Sequence, residues 1–291
     1  MADPTVLLYG SADNPSLGLL HQGLTRRGRR RSLFILQENF PFSVGIYLKV
    51  GRGLHGALLL GQEELSLTDL CSVALDGFVI SPAGLTEFSA QDAQYLQTES
   101  WACLISMFHQ LSRHCLVANH VVRRDYLTSR WAELNLLCEC GLAVPRTLVT
   151  SRPESAREFY ESLAGRVICK PVAGTAPVFR EVSPEDLDNL HRLTLCPVHY
   201  EEMPEGWACR LAVVGGLFFQ LPEGTPPPPE VLEGVTLVCR FLSLQLAEFS
   251  LRQLGSQWIV TGLRTFLSPE ALGQPHVLEA ACALLEQEPV S

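Results

Sequence analysis

Residues 130–174 read RWAELNLLCECGLAVPRTLVTSRPESAREFYESLAGRVICKPVAG, and their alternation of elements decides the fold. A helix is predicted to run through Tyr126–Cys140 and to stop at Gly141. A strand follows over residues 144–150, entered through Pro145. Residues 153–163 open on a proline with acids in the first turn, the signature of a helix N-terminus. Residues 165–171 then form a strand that ends on Lys170. A helix–strand–helix–strand order of this kind belongs to an α/β protein.

Working outward, residues 5–10 (TVLLYG) read as a strand. Leu17, Leu20 and Leu24 follow at helical spacing with Gly28 as a stop, and residues 31–37 form a second strand. Residues 44–50 and 56–60 read as a hairpin, and 73–80 as a further strand closed by Ser81-Pro82. Apolar positions from Phe88 to Leu111 recur at the period of a long amphipathic helix over 88–114, and Cys115–Asn119 reads as a strand end. Two strands are expected within 195–220, then a four-proline loop (226–229) and a helix over about 230–246. Phe249–Leu254 and Trp258–Leu263 form a closing hairpin around Gly255-Ser256, and a last helix covers about 276–287.

The formal net charge of −9 argues against nucleic acid, whose binders carry surplus Lys and Arg. The basic run Arg26-Arg27-Gly28-Arg29-Arg30-Arg31 reads as a solvated helix end and turn, with an anion or partner patch as the other reading. The ten cysteines are scattered, several inside apolar runs, as buried thiols of a reducing compartment are. No signal peptide and no apolar run long enough to span a membrane is visible, so a cytoplasmic protein without membrane association is expected. The eight histidines lack HExxH spacing. GxSxG and the dinucleotide glycine fingerprint are both missing.

The order SPAGL (81–85), long helix, LVANHV (116–121), residues 130–159, RVICKPVAG (166–174) and PVHYEEMPEGWACRLAVVGGLFF (197–219) resembles the ATP-grasp superfamily. Within it the pattern is most similar to the RimK-type and graspetide (microviridin-type) peptide ligases, over about residues 5–288. The resemblance implies an N-terminal α/β (pre-ATP-grasp) domain over 1–118 and an ATP-grasp domain over 119–291, with a lid-like lobe at about 145–205. Such ligases phosphorylate a carboxylate with ATP, and an amine or hydroxyl then attacks the acyl-phosphate. That chemistry needs cations on the phosphates, a bridging magnesium and a dry site.

Carried over residue by residue, Arg130 stands where the family has a lysine, and its bland reading is a solvated helix arginine. Lys170, one of only two lysines in the chain, matches the second family lysine and reads as a nucleotide contact or as an exposed strand-end lysine. The loop after it, 173–177, holds one glycine and one proline and is stiff for a phosphate cover. In the adenine- and ribose-holding stretch, which reads Gln-Glu in the family, Glu202 matches and Glu201 stands at the Gln, although an acid pair there is by default surface solvation. Arg210 matches the phosphate or acyl-phosphate arginine and is the expected catalytic residue, while Ala208 replaces a family Asp. The family's metal-binding Asp, Glu and Asn fall on Ser250, Gly262 and Arg264, and residues 249–267 contain no Asp, Glu or Asn. ATP is therefore the implied cofactor and magnesium is not expected. The expected function is a non-catalytic binding or accessory protein in a peptide-modification pathway. It would bind a peptide or protein, as a homodimer or as the partner of an active ligase. The alternative is an ATP-dependent carboxylate-amine (or carboxylate-hydroxyl) ligase acting on a peptide.

Overall fold

The structure is a computed structural model and describes residues 4–49, 51, 53–76, 85, 87–120, 127, 129–172 and 179–287. β1 (Thr5–Gly10), α1 (Pro15–Arg27) and β2 (Arg31–Leu36) open the chain. The Asn14 side chain accepts from Ser16 N at the start of α1, and Gly28, at φ 59°, ends it. β3 (Val44–Leu48), β4 (Gly56–Leu60) and β5 (Glu63–Ser66) form a small antiparallel sheet. The third of these strands, carrying the acid pair Glu63-Glu64, was not expected from the sequence. β6 (Leu70–Asp76), the 22-residue α2 (Ala90–Leu111) and β7 (Leu116–Ala118) follow, and the first large sheet is parallel in the order β2-β1-β6-β7. β6 begins three residues before the expected strand, and the predicted remainder over 77–80 lies outside the described residues.

α3 (Arg130–Glu139) starts later than expected, because the Ser129 side chain caps it by accepting from Ala132 N; residues 121–126 lie outside the described residues. β8 (Thr147–Thr150), α4 (Pro153–Ser162), β9 (Val167–Lys170), β10 (Arg180–Glu181), α5 (Pro184–Asp188) and β11 (Val198–Glu202) build a second sheet, antiparallel at its paired edges, in the order β10-β9-β11-β8. Its own apolar cluster comprises Ala156, Leu163, Val167, Val182, Leu190, Leu193 and Tyr200.

β12 (Trp207–Val214), β13 (Leu217–Leu221), α6 (Pro229–Leu242), β14 (Leu246–Leu254) and β15 (Gln257–Arg264) make the third four-stranded sheet, antiparallel in the order β13-β12-β14-β15. Three strands, not two, therefore lie between 198 and 221. α6 ends at Ser243, in the left-handed region at φ 55°, so Leu246 starts β14 instead of closing the helix. α7 (Pro269–Leu272) and α8 (Pro275–Leu285) complete the chain. One apolar cluster joins Val6, Leu8, Leu17, Leu20 and Leu24 to Ala212, Val214, Leu246, Phe266, Val277, Ala281, Cys282 and Leu285. The parallel sheet is thus fused to the inner end of the third sheet through α7 and α8. No described helix is long and apolar enough to cross a membrane.

Candidate functional site

Side-chain alternation along β9 and β11 places the charged residues. Tyr200 and Cys169, paired across the strands, face the small sheet's own apolar cluster. The opposite face then carries Lys170, His199 and Glu201, with His199 and Lys170 in register. α3 meets this face with Arg130 and Glu133, three residues apart on one side of the helix together with Leu134 and Leu137.

Four charges converge there. Arg130 donates from Nε to Glu201 Oε2 at 3.0 Å and from Nη2 to Oε1 at 2.9 Å, a bidentate pair. Lys170 Nζ lies 3.2 Å from both Glu201 oxygens. Arg130 also pairs with Glu133 and donates to Thr261 O on β15 at 2.8 Å. Glu133 Oε1 accepts from Leu263 N at 2.9 Å. Arg130 is 7% exposed and Glu201 2% exposed, so neither is the solvated surface group that the bland readings expected. Two cations face two carboxylates, so the cluster is neutral as drawn. That balance is what burial of charge requires.

Burial works to raise the Glu201 carboxyl. The His199 contact, the Arg130 hydrogen bonds and the charges of Arg130 and Lys170 outweigh it and hold the group at about 2. Burial pushes the Glu133 carboxyl up despite Arg130. Burial and the neighbouring Arg130 charge push the Lys170 ammonium down despite Glu201. His199 is fully buried with Nε2 3.4 Å from Glu201 Oε2, and neither ring nitrogen makes a hydrogen bond among the described residues.

The other expected residues lie apart from this cluster. Glu202, next along β11, turns to the other side and accepts from Arg146 Nε at 3.0 Å. Arg210 on β12 reaches Glu248 Oε1 at 3.4 Å, Ser268 Oγ at 3.3 Å and Glu270 Oε2 at 3.4 Å. Glu248 is buried, and its second oxygen accepts from Ser268 N at 3.0 Å, ahead of α7. The loop over 173–177 lies outside the described residues.

The three positions that the resemblance sets against metal ligands lie on adjacent strands, β14 and β15. Arg210, Ser250 and Gly262 sit side by side across β12, β14 and β15, and Arg264 pairs with Glu248. They offer a hydroxyl, no side chain and a guanidinium. Magnesium takes hard oxygen ligands in near-octahedral geometry, and these residues do not supply such a set. Glu248, the nearest carboxylate in register, has both oxygens engaged. Among the described residues no group of three or more His, Cys, Asp or Glu side chains gathers as a metal site.

Sequence reasoning missed Glu133, His199 and Glu248. The first two carried a signal. Glu133 is one helical turn from Arg130, and His199 is two strand residues from Glu201, so each shares a face with a residue already singled out.

No protein-family model and no curated protein sequence matches the chain. Solved structures do. The macrocyclase MdnC from Microcystis aeruginosa MRC, bound with precursor peptide MdnA, superposes with a TM-score of 0.81 at 19% identity, covering 98% of this chain and 100% of that one. The ATP-grasp ligase PsnB, complexed with a phosphomimetic variant of its minimal precursor, Mg and ADP, gives 0.79 at 21% identity, with 98% of each chain covered. A Chryseobacterium gregarium RiPP-associated ATP-grasp ligase, in complex with ADP and a leader and core peptide, gives 0.79 at 15% identity and 99% coverage of both. Over essentially its whole length, the chain has the fold of these ATP-grasp ligases.

Proposed function

We propose that this protein is a non-catalytic ATP-grasp homologue that binds a peptide or protein in a peptide-modification pathway. The observation that carries the reading is the Ser250, Gly262 and Arg264 row on β14 and β15. A dication bridging phosphates would meet a guanidinium and a bare backbone there, beside Arg210 and Arg252 on the same face. The likeness to ligases solved with precursor peptides supports a peptide as the partner. ATP is the nucleotide that the resemblance implies, with Arg130, Lys170 and Glu201 as the clustered candidates to meet it; Glu202 and Arg210, the other two candidates, lie apart from that cluster. Magnesium has no role in this reading. The working division is a 1–118 domain, a 119–291 domain and a lid-like lobe at about 145–205. Association is with itself or with an active ligase, in the cytoplasm. The competing reading, a ligase with an unusual site, rests on the retained cations Lys170 and Arg210.

Calorimetric titration of the purified chain with ATP, with and without magnesium, tests the proposal. The expected result is no magnesium-dependent gain in affinity and no ADP release in the presence of peptide. Tight binding that requires magnesium, together with ADP release, would overturn the reading in favour of the ligase.

A further inference from the structure

The third sheet has two edges, and they are finished differently. At β15, Val260 N donates to Ala143 O at 2.8 Å, so that edge is taken up by the chain itself. β13 forms the other edge and, among the described residues, pairs with β12 alone, in unbroken register from Val214–Leu217 to Arg210–Leu221. Gly215 and Gly216, at φ 57° and 90°, make a two-residue hairpin turn, whose flanking pair Val214 and Leu217 exchanges both hydrogen bonds. By alternation, the backbone N–H and C=O of Phe218 and Gln220 then point outward, away from β12. Edges of this kind are normally blunted by charge, proline or a bulge. Residues 217–221 read Leu-Phe-Phe-Gln-Leu, with none of the three, and Leu217 is 59% exposed.

Beside this edge lies a cleft of about 450 Å³, between the β12–β13 hairpin, the last turns of α6 and the entry to β14. Its apolar side is Val213, Phe218 and Leu244, and its polar side Arg240, Ser243 and Gln245. No carboxylate lines it, and among the described residues the Arg240 guanidinium has no ion pair or hydrogen bond.

We propose that the β13 edge receives an extended peptide as a fifth strand of the sheet. The added strand sets an apolar side chain against Phe218 and Leu244, and a carboxylate two residues away, on the same face, meets Arg240. This gives the peptide of the proposed function a docking place and rests on that reading for the partner's class. Hydrogen bonds to the backbone of Phe218 and Gln220 supply affinity without regard to sequence, and the cleft supplies selectivity. Phe218 shares a sheet face with Val213, so alternate side chains of the added strand turn toward the cleft. The carboxylate follows from charge complementarity, because it is the group that a guanidinium without a partner, in a cleft without acids, binds at two points.

The test uses the full chain and synthetic peptides in which Thr alternates with Val, with Leu and Glu two positions apart at the centre. Matched peptides carry Gln or Lys in place of that Glu. Calorimetry should rank the Glu peptide above the Gln peptide and the Lys peptide last. Gln220→Pro removes an outward N–H without touching the ladder to β12 and should weaken every peptide about tenfold. Arg240→Glu, at an exposed helix position, should reverse the ranking, with hydrogen exchange at Phe218 and Gln220 still slowed on binding. An unchanged ranking in Arg240→Glu would overturn the proposal, as would binding untouched by Gln220→Pro or no binding at all. If Gln220→Pro does not fold, Arg240→Glu decides alone. Sedimentation of the chain without peptide addresses the other occupant: a dimer that Gln220→Pro dissolves would give the edge to a second copy and overturn the proposal. Magnesium-dependent ADP release would unseat the non-catalytic reading and leave these readouts intact, so the two failures are distinguishable.

Discussion

Arg130 and Glu201 lie 71 residues apart in the chain and form a two-point ion pair, with both side chains under a tenth exposed. Breaking such a pair from one side leaves a naked buried charge. Arg130→Met should therefore cost about 3–5 kcal/mol, read from the urea unfolding midpoint. The double variant Arg130→Met, Glu201→Met should cost less than that single change, since only Lys170 and Glu133 then remain facing each other. A single variant as stable as the parent would show that water reaches the pair.

The same carboxylate sets an acid limb. Glu201 is held at about 2 against an ordinary value of 4.5. A group depressed on folding contributes stability above its unfolded value and loses it as pH falls toward the folded one. The parent should lose a few kcal/mol between pH 4.5 and about 2, a loss that Glu201→Gln removes from its own profile. Glu133, pushed the other way by burial, acts with the opposite sign above pH 4.5. Thermal melts of both proteins across that window decide the matter. Parallel acid limbs would contradict it.

Asn119 is fully buried with φ 62° and ties β7 to the third sheet. Its Nδ2 donates to Leu246 O and Thr265 O at 2.7 Å, and its Oδ1 accepts from Gln245 N at 2.9 Å and Leu246 N at 3.0 Å. Asn119→Ala strips four bonds and leaves buried backbone groups unpaired. It should cost roughly 2–4 kcal/mol. Asn119→Gly, which relieves the backbone cost, should recover only part of that. A melting temperature unchanged in the alanine variant would sink the account.

If the proposed reading holds, supplying oxygen ligands should create a metal response. The triple change Ser250→Asp, Gly262→Glu, Arg264→Asn rebuilds an acidic row on a hairpin whose register is already in place. With ATP present, magnesium should raise the melting temperature of the triple variant and not of the parent. Space is not the obstacle at Gly262, where an added Cβ would stand 3.7 Å from Ser250 Oγ. If magnesium shifts the parent equally, the row is not what excludes the metal.

Much of this architecture was legible because local signals agreed with one another. The Gly255-Ser256 turn, the proline opening of α4, the Gly28 stop and the period of α2 each rest on backbone chemistry that tertiary contacts did not override. The charged cluster was half legible. Lys170 could be placed at the end of its strand, but the inward face of α3 could not. There a hydropathy reading turns Trp131 inward and Arg130 outward, whereas Trp131 is 56% exposed and Arg130 is buried. The partner that makes burial of Arg130 affordable comes from β11, far along the chain. No local pattern announces a long-range counter-ion.

α8 has a consequence for how the molecule comes into being. Its Val277, Ala281, Cys282 and Leu285 pack with Leu17, Leu20 and Leu24 of α1, so closely that a methyl added at Gly23 would fall 2.9 Å from Cys282 Sγ. Ser72 on β6 donates to Leu285 O at 2.5 Å, and Arg27 pairs with Glu286. On the ribosome the opening β–α–β unit therefore waits, with one apolar flank uncovered, until α8, about 250 residues further along, has emerged. The nascent chain would be most vulnerable to chaperone capture and proteolysis in that interval. A chain shortened before α8 would remain in that state permanently.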